Sequence, residues 1–300
     1  MNTATEPHTI DFAAATGRTA SAGPLEVRWI HGSPSAMHNT DPEIQVHAHD
    51  EHTVILRQNK AVDYEAPFLY LLFGNTRAVL IDTGATAEPE FFPLRRTVDA
   101  LIEGWLARNP REHYPLLVVH THAHGDHVAG DVQFADRPRT TLVAAARPTA
   151  WEFFGFDDVS DGIAALDLGG RVLECLPTPG HHEASVTFYD PWTGFLLTGD
   201  TVYRGRLYVD DWPAFVRTVD RLIEFCDRRP VTHLLGCHIE MTRQPGVDYP
   251  IRTTYQPDEP PLEMAPGRHL RAIRAAIDSM RGNENVTRAV FDDFVICPRG

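Results

Sequence analysis

The stretch "PLLVVHTHAHGDHVAGDVQF", residues 115–134, joins an apolar run to a dense group of polar side chains. The run "PLLVVHT" predicts a buried strand, and "HAHGDH" at 122–127 follows it directly. Open α/β sheets place their sites at the carboxyl ends of their strands, where this loop begins. Because imidazole and carboxylate are ligands of divalent transition metals, the stretch predicts an α/β fold with a metal site at a strand end.

A second histidine cluster, "HAHDEH" at 47–52, lies within "EIQVHAHDEHTVILRQ" at 43–58. That segment alternates like one extended strand, so His47, His49 and Asp50 cannot all face the same way. We interpret this cluster as a polar strand face or a turn. It is expected to hold no catalytic metal.

The amino-acid composition of the chain disfavours several classes of function. A chain of 300 residues with 43% hydrophobic content can bury a sizeable core, and its net charge of −14 disfavours binding to nucleic acid or to an anionic membrane. A small-molecule substrate is therefore expected. The amino terminus has no basic start followed by an apolar run, and the apolar stretches are too short to span a bilayer, which predicts a cytoplasmic location. The four cysteines have no CxxC spacing, which disfavours a disulfide framework and a thiolate zinc site.

From about residue 43 onward, short β-rich runs alternate with helical patterns. The predicted strands are "FLYLLF", "RAVLID", "LLVVH", "TTLVAA", "RVLECL", "SVTFYD", "GFLLTG" and "VTHLLG". Helical spacing appears over 91–108, over 213–226 with Asp211 as its cap, and near 267–281. This alternation predicts sheets covered by helices.

The same patterns suggest an organisation in three parts. Residues 1–42 lack periodicity and predict an amino-terminal arm that lies over the body or is partly disordered. Residues 43–242 form the expected catalytic domain. Residues 243–300 contain a Pro-rich segment and a helix that is expected to cap the same domain.

Three more polar residues end predicted strands. His181 follows a Pro-Gly turn in "LPTPGHHEASVTFYD", Asp200 ends "GFLLTGD", and His238 ends "VTHLLGCH". With "HAHGDH", they give the order HxHxDH, PGH, TGD and GxH. This set resembles the metallo-β-lactamase superfamily over about residues 43–240, and within it the hydrolases similar to glyoxalase II and the acyl-homoserine-lactone lactonases. The turn "LIDTG" at 80–84, with Asp82, supports the resemblance, which implies a four-layer αββα sandwich in the α/β class.

The resemblance also implies a ligand set for two divalent metal ions. The first metal would be held by His122, His124 and His181, the second by Asp126, His127 and His238, and Asp200 would bridge the two. Zn²⁺ is the expected metal, and Fe²⁺ or Mn²⁺ also suits these ligands.

Such a centre would activate a metal-bridging hydroxide for attack on an ester, lactone or thioester, and Asp126 would orient that hydroxide as well as ligate. Cys237 and His182 adjoin ligands but are expected to point the other way along their strands, into packing. His120, two residues before the motif, is expected to support the ligands or to pack.

The expected substrate is a small acyl compound, and several alternatives stay open. Tyr203 matches a tyrosine that contacts substrate in the lactonases, which makes it a second candidate catalytic residue. Arg204 and Arg206, in "TVYRGRLYVDD", are the expected contacts for an anionic substrate group. A glutathione-thioester hydrolase of the glyoxalase II kind is an alternative, with the basic helix residues Arg268, Arg271 and Arg274 as carrier contacts instead of a solvated face.

Other members of the superfamily fit less well. β-Lactamases do not use aspartate at the position of Asp200, which disfavours amide hydrolysis. An iron-dependent persulfide dioxygenase would need only the first ligand set, and a nucleic-acid-processing member would carry an inserted domain and a basic surface. A binding protein without catalysis would be expected to have lost ligands, whereas every ligand position is filled. Oligomeric state stays open, and a homodimer is compatible with the sequence.

Overall fold

β-Sheets form the centre of the protein. The computed structural model describes residues 9–14, 25–157, 162–282 and 286–299. In strand order, the first sheet contains β1 Ile44–Asp50, β2 Thr53–Gln58, β3 Phe68–Phe73, β4 Ala78–Ile81, β5 Leu116–Val119 and β6 Thr140–Leu142. The second sheet contains, in spatial order, β12 His233–Gly236, β10 Phe195–Gly199, β9 Val186–Asp190, β8 Val172–Pro177 and β7 Ala164–Asp167. A small third sheet contains β11 Arg206–Val209, β14 Val295–Pro298 and β13 Ala289–Val290.

The helices are α1 Leu94–Arg108, α2 Gly125–Val128, α3 Arg147–Phe154, α4 Trp212–Arg228 and α5 Pro266–Ser279. α1 covers the outer face of the first sheet, and α4 and α5 cover that of the second. The predicted helices over 91–108, 213–226 and 267–281 are confirmed as α1, α4 and α5. Asp211 caps α4 as expected, because its carboxylate accepts the backbone N–H of Ala214 at 2.9 Å.

Side-chain alternation explains the layers. In β3 of the first sheet, Tyr70 and Leu72 face the second sheet, whereas their neighbours Leu69 and Leu71 face α1. In the second sheet, Cys175 packs between the sheets and Leu176 packs beneath α4 and α5. The order helix, sheet, sheet, helix is the expected αββα sandwich, and the fold prediction is confirmed.

The segment 43–58 differs from its prediction. It is a hairpin rather than one extended strand, with β1 and β2 antiparallel and Asp50 opposite Thr53. The Asp50 side chain accepts the backbone N–H of His52 at 2.8 Å, which stabilises the turn. Alternation ends at His49, where the polar run at 50–53 forms the turn, and every residue of β2 is buried.

Both ends of the chain contact the sandwich where they are described. Phe12, from the predicted arm, is buried against Trp192 with ring centroids 4.6 Å apart; residues 1–8 and 15–24 of that arm lie outside the described part. At the other end, β14 pairs in parallel with β11, and α5 packs against α4. Within the described ranges, no helix combines the length and apolar character needed to cross a bilayer.

Candidate metal centre

Strand direction brings the predicted ligands to one edge of the sandwich. β10 and β12 are parallel neighbours, so Asp200 and His238, which follow them, lie side by side. β8 runs in the same direction as β10, because β9 lies antiparallel between them, and this places His181 at the same edge. His122 and His124 come from the loop after β5 in the facing sheet.

Three imidazoles form the first group of possible ligands. The Nε2 atoms of His122 and His181 lie 3.2 Å apart, and the Nδ1 atom of His124 lies 2.9 Å from the first and 3.1 Å from the second. A tetrahedral zinc with Zn–N bonds of about 2.0–2.1 Å separates its nitrogen ligands by about 3.3 Å. The spacing therefore fits one metal ion held by three nitrogens.

A second group contains Asp126, His127, Asp200 and His238. His238 Nε2 lies 3.2 Å from Asp126 Oδ2 and 3.3 Å from Asp200 Oδ1, and His127 Nε2 lies 3.4 Å and 3.5 Å from the same two oxygens. His127 Nε2, His238 Nε2 and Asp200 Oδ1 are buried without a hydrogen-bond partner. Because buried polar atoms are costly when unpaired, a cation among these atoms fits the second group as well.

Asp200 stands between the two groups. Its Oδ1 atom faces His238 and His127, whereas its Oδ2 atom lies 3.8 Å from His181 Nε2 in the first group. A carboxylate in this position fits a ligand shared by both groups.

The far side of several rings is held by hydrogen bonds. The Nδ1 atom of His127 lies 2.9 Å from Asp82 Oδ2. The Nδ1 atom of His181 lies 2.9 Å from the Tyr208 carbonyl oxygen, and the Nδ1 atom of His238 lies 3.0 Å from the Glu65 carbonyl oxygen. A proton on each Nδ1 satisfies these acceptors and leaves the Nε2 lone pair directed into the centre.

Burial and charge act in opposite directions on this cluster. Burial, together with His127, holds the pKa of His122 well below its usual value. Burial also opposes charge on His127, but Asp126 and Asp82 outweigh it and hold the pKa of His127 well above its usual value. Burial disfavours ionised Asp200, yet His238 and His127 keep the pKa of that carboxyl well below its usual value. Asp200 is thus ionised, and the site attracts positive charge.

A cavity of about 430 Å³ opens onto the centre. Its lining contains five of the predicted ligands, residues from the connection between β2 and β3, and residues in or near β11, β12 and β14. The lining residues are Tyr64, Glu65, His124, Gly125, Asp126, His181, Asp200, Tyr203, Arg206, Tyr208, His238, Glu240, Ile251 and Arg299. A larger groove of about 870 Å³ beside α1 contains no residue of either ligand group in its lining.

The predicted substrate residues have partners within the protein. The Tyr203 hydroxyl donates to the Arg206 carbonyl oxygen at 2.5 Å and lies 3.1 Å from Glu240 Oε2. Arg206 lines the cavity, but its guanidinium contacts Glu240 and Asp248. Arg204 pairs with Asp293 at 2.9 Å and does not line the cavity, so its contact with substrate stays a prediction without geometric support.

The other basic residues considered as carrier contacts lie on α5 and form ion pairs. Arg271 contacts Asp227 at 2.7 Å and Arg274 contacts Asp220 at 2.6 Å, whereas Arg268 is 3.5 Å from Asp293. These contacts tie α5 to its surroundings, and none of the three residues lines the cavity of the metal centre.

The remaining histidine and cysteine residues lie around the centre or away from it. Among the described residues, the groups close enough to share a metal do not include His47 or His49. His120 contacts Asp131 at 2.8 Å and supports the loop, and His182 accepts the backbone N–H of Ala184 at 3.0 Å. Cys237 is buried with its thiol 3.4 Å from Asp82 Oδ2.

Sequence reasoning missed Glu240 and Arg299 in the cavity wall. Glu240 follows His238 by two residues, a spacing that puts both side chains on one face of an extended segment and was an available signal. Arg299 had no such signal, since only the pairing of β14 with β11 brings it to the cavity.

Comparisons with known proteins give a consistent result. The family described as "Metallo-beta-lactamase superfamily" matches residues 64–233. Acyl-coenzyme A thioesterase MBLAC2 of Bos taurus is 30% identical over 207 residues, covering 57% of this chain and 72% of that protein. Hydroxyacylglutathione hydrolase of Chelativorans sp. (strain BNC1) is 28% identical over 132 residues, covering 43% and 49%. The structure of a metallo-beta-lactamase from Pontibacter korlensis matches with a TM-score of 0.52 and 19% identity, covering 78% of this chain and 99% of that one.

Proposed function

Because the chain belongs to the metallo-beta-lactamase superfamily and is a hydrolase, we propose that it hydrolyses acyl thioesters at a centre of two divalent metal ions, Zn²⁺ in the first place. The observation that carries this proposal is the pair of ligand groups that share Asp200. Each group presents atoms at metal-ligand spacing, and three buried atoms of the second group lack any other partner.

The preference for a thioester over a lactone rests on two points. The relatives named above are a thioesterase of acyl-coenzyme A and a hydrolase of hydroxyacylglutathione, and both of those names describe acyl thioesters. Tyr203 was the main residue that favoured a lactonase, and its hydroxyl already donates a hydrogen bond to the Arg206 carbonyl oxygen. An oxygen ester or lactone remains the second candidate, since the same centre suits both reactions.

The reaction adds water across the acyl carbon–sulfur bond and releases a carboxylic acid and a thiol. Bound divalent metal supplies Lewis acidity and lowers the pKa of water towards neutrality. Within the chain, His122, His124 and His181 would hold one ion, with Asp200 shared. The Asp126 carboxylate, which borders both the cavity and His238, is positioned to accept a hydrogen bond from the attacking water.

Two further predictions belong to this proposal. The partner is a small acyl compound, since the net charge of −14 opposes binding to nucleic acid and to anionic membranes. The cytoplasm is the proposed location.

A persulfide dioxygenase is disfavoured because the second ligand group is complete.

The test compares Asp200→Ala with Asp227→Ala, an exposed aspartate on α4 that pairs with Arg271. Purified proteins are loaded with Zn²⁺, Mn²⁺ or Fe²⁺, and their metal content is measured. Thiol release is then followed with acyl thioesters, and ring opening is followed with lactones and β-lactams. Wild type and Asp227→Ala should bind two ions per chain and release thiol. Asp200→Ala should lose at least one ion and most of the turnover.

Unchanged metal content in Asp200→Ala would refute the shared ligand. Lactone cleavage far above thioester cleavage would refute the substrate class while leaving the metal centre intact.

A further inference from the structure

Arg299 is a cationic side chain at the cavity of the metal centre. Among the described residues that line this cavity, Arg206 and Arg299 carry the guanidinium groups. Their surroundings differ, because Arg206 is buried between Glu240 and Asp248 whereas the Arg299 side chain is 49% exposed.

The ion pair of Arg299 is weak. Its Nη1 atom lies 3.8 Å from Asp210 Oδ1, beyond hydrogen-bond distance, and Asp210 is itself 47% exposed. Exposed pairs of this kind contribute little stability, so exchanging Asp210 for a substrate anion costs little. Arg206, by contrast, would have to leave two partly buried carboxylates.

The position of Arg299 is nevertheless well defined. Its guanidinium carbon lies 4.0 Å from the centre of the Tyr208 ring, and its backbone N–H donates to the Val209 carbonyl oxygen at 2.9 Å. Tyr208 lines the same cavity, and its own carbonyl oxygen holds the ligand His181. Stacking on an aromatic ring thus keeps the cation beside the cavity before any substrate arrives.

Charge also orients the substrate. Glu65 and Glu240, which belong to neither ligand group, line the cavity and repel an anion from their part of its wall. Arg299 offsets this repulsion at one place, which an anionic part of the substrate can reach while the acyl group lies at the metal ligands.

We propose that Arg299, stacked on Tyr208, binds an anionic phosphate or carboxylate group on the thiol carrier of the substrate. This inference rests on the proposed thioesterase function and narrows it to thioesters of charged carriers. It assigns recognition of the carrier to Arg299, which directly follows β14, instead of to the basic residues of α5.

The test uses one acyl group on three carriers: coenzyme A, which is rich in phosphate, glutathione, which has carboxylates, and N-acetylcysteamine, which is uncharged. Wild type, Arg299→Gln, Arg299→Lys and the control Arg228→Gln are compared by kcat/KM. Arg228 is a suitable control because its side chain is 74% exposed on α4 and pairs with Glu224.

Arg299→Gln should lower kcat/KM about tenfold or more for the preferred charged carrier, since a charge-assisted hydrogen bond is lost. Arg299→Lys should retain part of the activity, and Arg228→Gln should match wild type. The uncharged thioester should be cleaved equally by all four proteins. Raising ionic strength should reduce the difference between wild type and Arg299→Gln, because salt screens the attraction.

The carrier that shows the loss identifies the anion as phosphate or carboxylate. Equal kcat/KM for wild type and Arg299→Gln on both charged carriers, or an equal loss on the uncharged one, overturns the assignment of Arg299. Failure of wild type to release thiol from any carrier overturns the thioesterase function itself, and the inference falls with it.

Discussion

Replacing Asp82 tests how hydrogen bonds orient the candidate metal ligand His127. The buried carboxylate of Asp82 accepts the Nδ1–H of His127 at 2.9 Å and the backbone N–H of Thr121 at 2.7 Å. Asn in place of Asp82 keeps an oxygen for Thr121 and suits the positive φ of 66° at this position. Its amide group, however, donates towards His127, which moves the imidazole proton to Nε2 and blocks the metal-facing lone pair.

Loss of such a supporting contact lowers metal affinity about 10- to 100-fold, or about 1.4 to 2.8 kcal/mol. Affinity is measured for Asp82→Asn by competition with a chromophoric chelator, together with metal content per chain. Asp131→Asn is the matched control, because Asp131 contacts the non-ligand His120 at 2.8 Å. Equal affinity of Asp82→Asn and wild type would refute the reasoning, and so would an equal loss in the control.

The remaining predictions concern stability and the role of one hydroxyl. Tyr203→Phe should lower the free energy of unfolding by about 1 to 3 kcal/mol in urea titrations, with kcat nearly unchanged, because the hydroxyl serves the backbone; a tenfold fall in kcat would instead mark a substrate contact. Burial and Arg204 lower the pKa of His269 to about 3. Below about pH 6.5 this histidine therefore binds a proton in the unfolded state but not in the folded state, and the free energy of unfolding falls as the pH drops. His269→Leu should therefore remove about 2 kcal/mol of the stability loss between about pH 7 and pH 5, and identical pH profiles of Tm would contradict this. Arg57→Met should cost about 3 kcal/mol or more, since Glu259, bonded at 2.6 Å, is left buried without its main partner, and Glu259→Leu in the same chain should restore part of the loss.

The sequence predicts the fold, and it predicts which side chains meet at the edge of the sandwich, because both depend on the order of strands along the chain. Each predicted ligand lies in a segment that follows an apolar strand, and parallel strands end at the same edge, so strand patterns suffice to bring Asp200 and His238 together. The hairpin at 43–58 differs from the predicted single strand, because side chains alternate only as far as His49 and the polar run at 50–53 forms a turn.

Contacts between distant parts of the chain explain what the sequence could not reveal. Arg206 was expected at the substrate because it follows Asp200, but Glu240 and Asp248 come from another connection and bind its guanidinium. Arg299 reaches the cavity only through a strand pairing between residues about ninety positions apart, which no local pattern encodes.

The pairing of β14 with β11 also limits where the chain can be cut into fragments that still fold. The superfamily match ends at residue 233, before His238 and long before β14. A recombinant fragment cut at that boundary would lack the proposed ligand His238, the strand beside Tyr208, and Glu259, the buried partner of Arg57. Fragment expression, domain grafting and fusions at the carboxyl end therefore need to preserve residues 295–298 as a structural part of the catalytic unit.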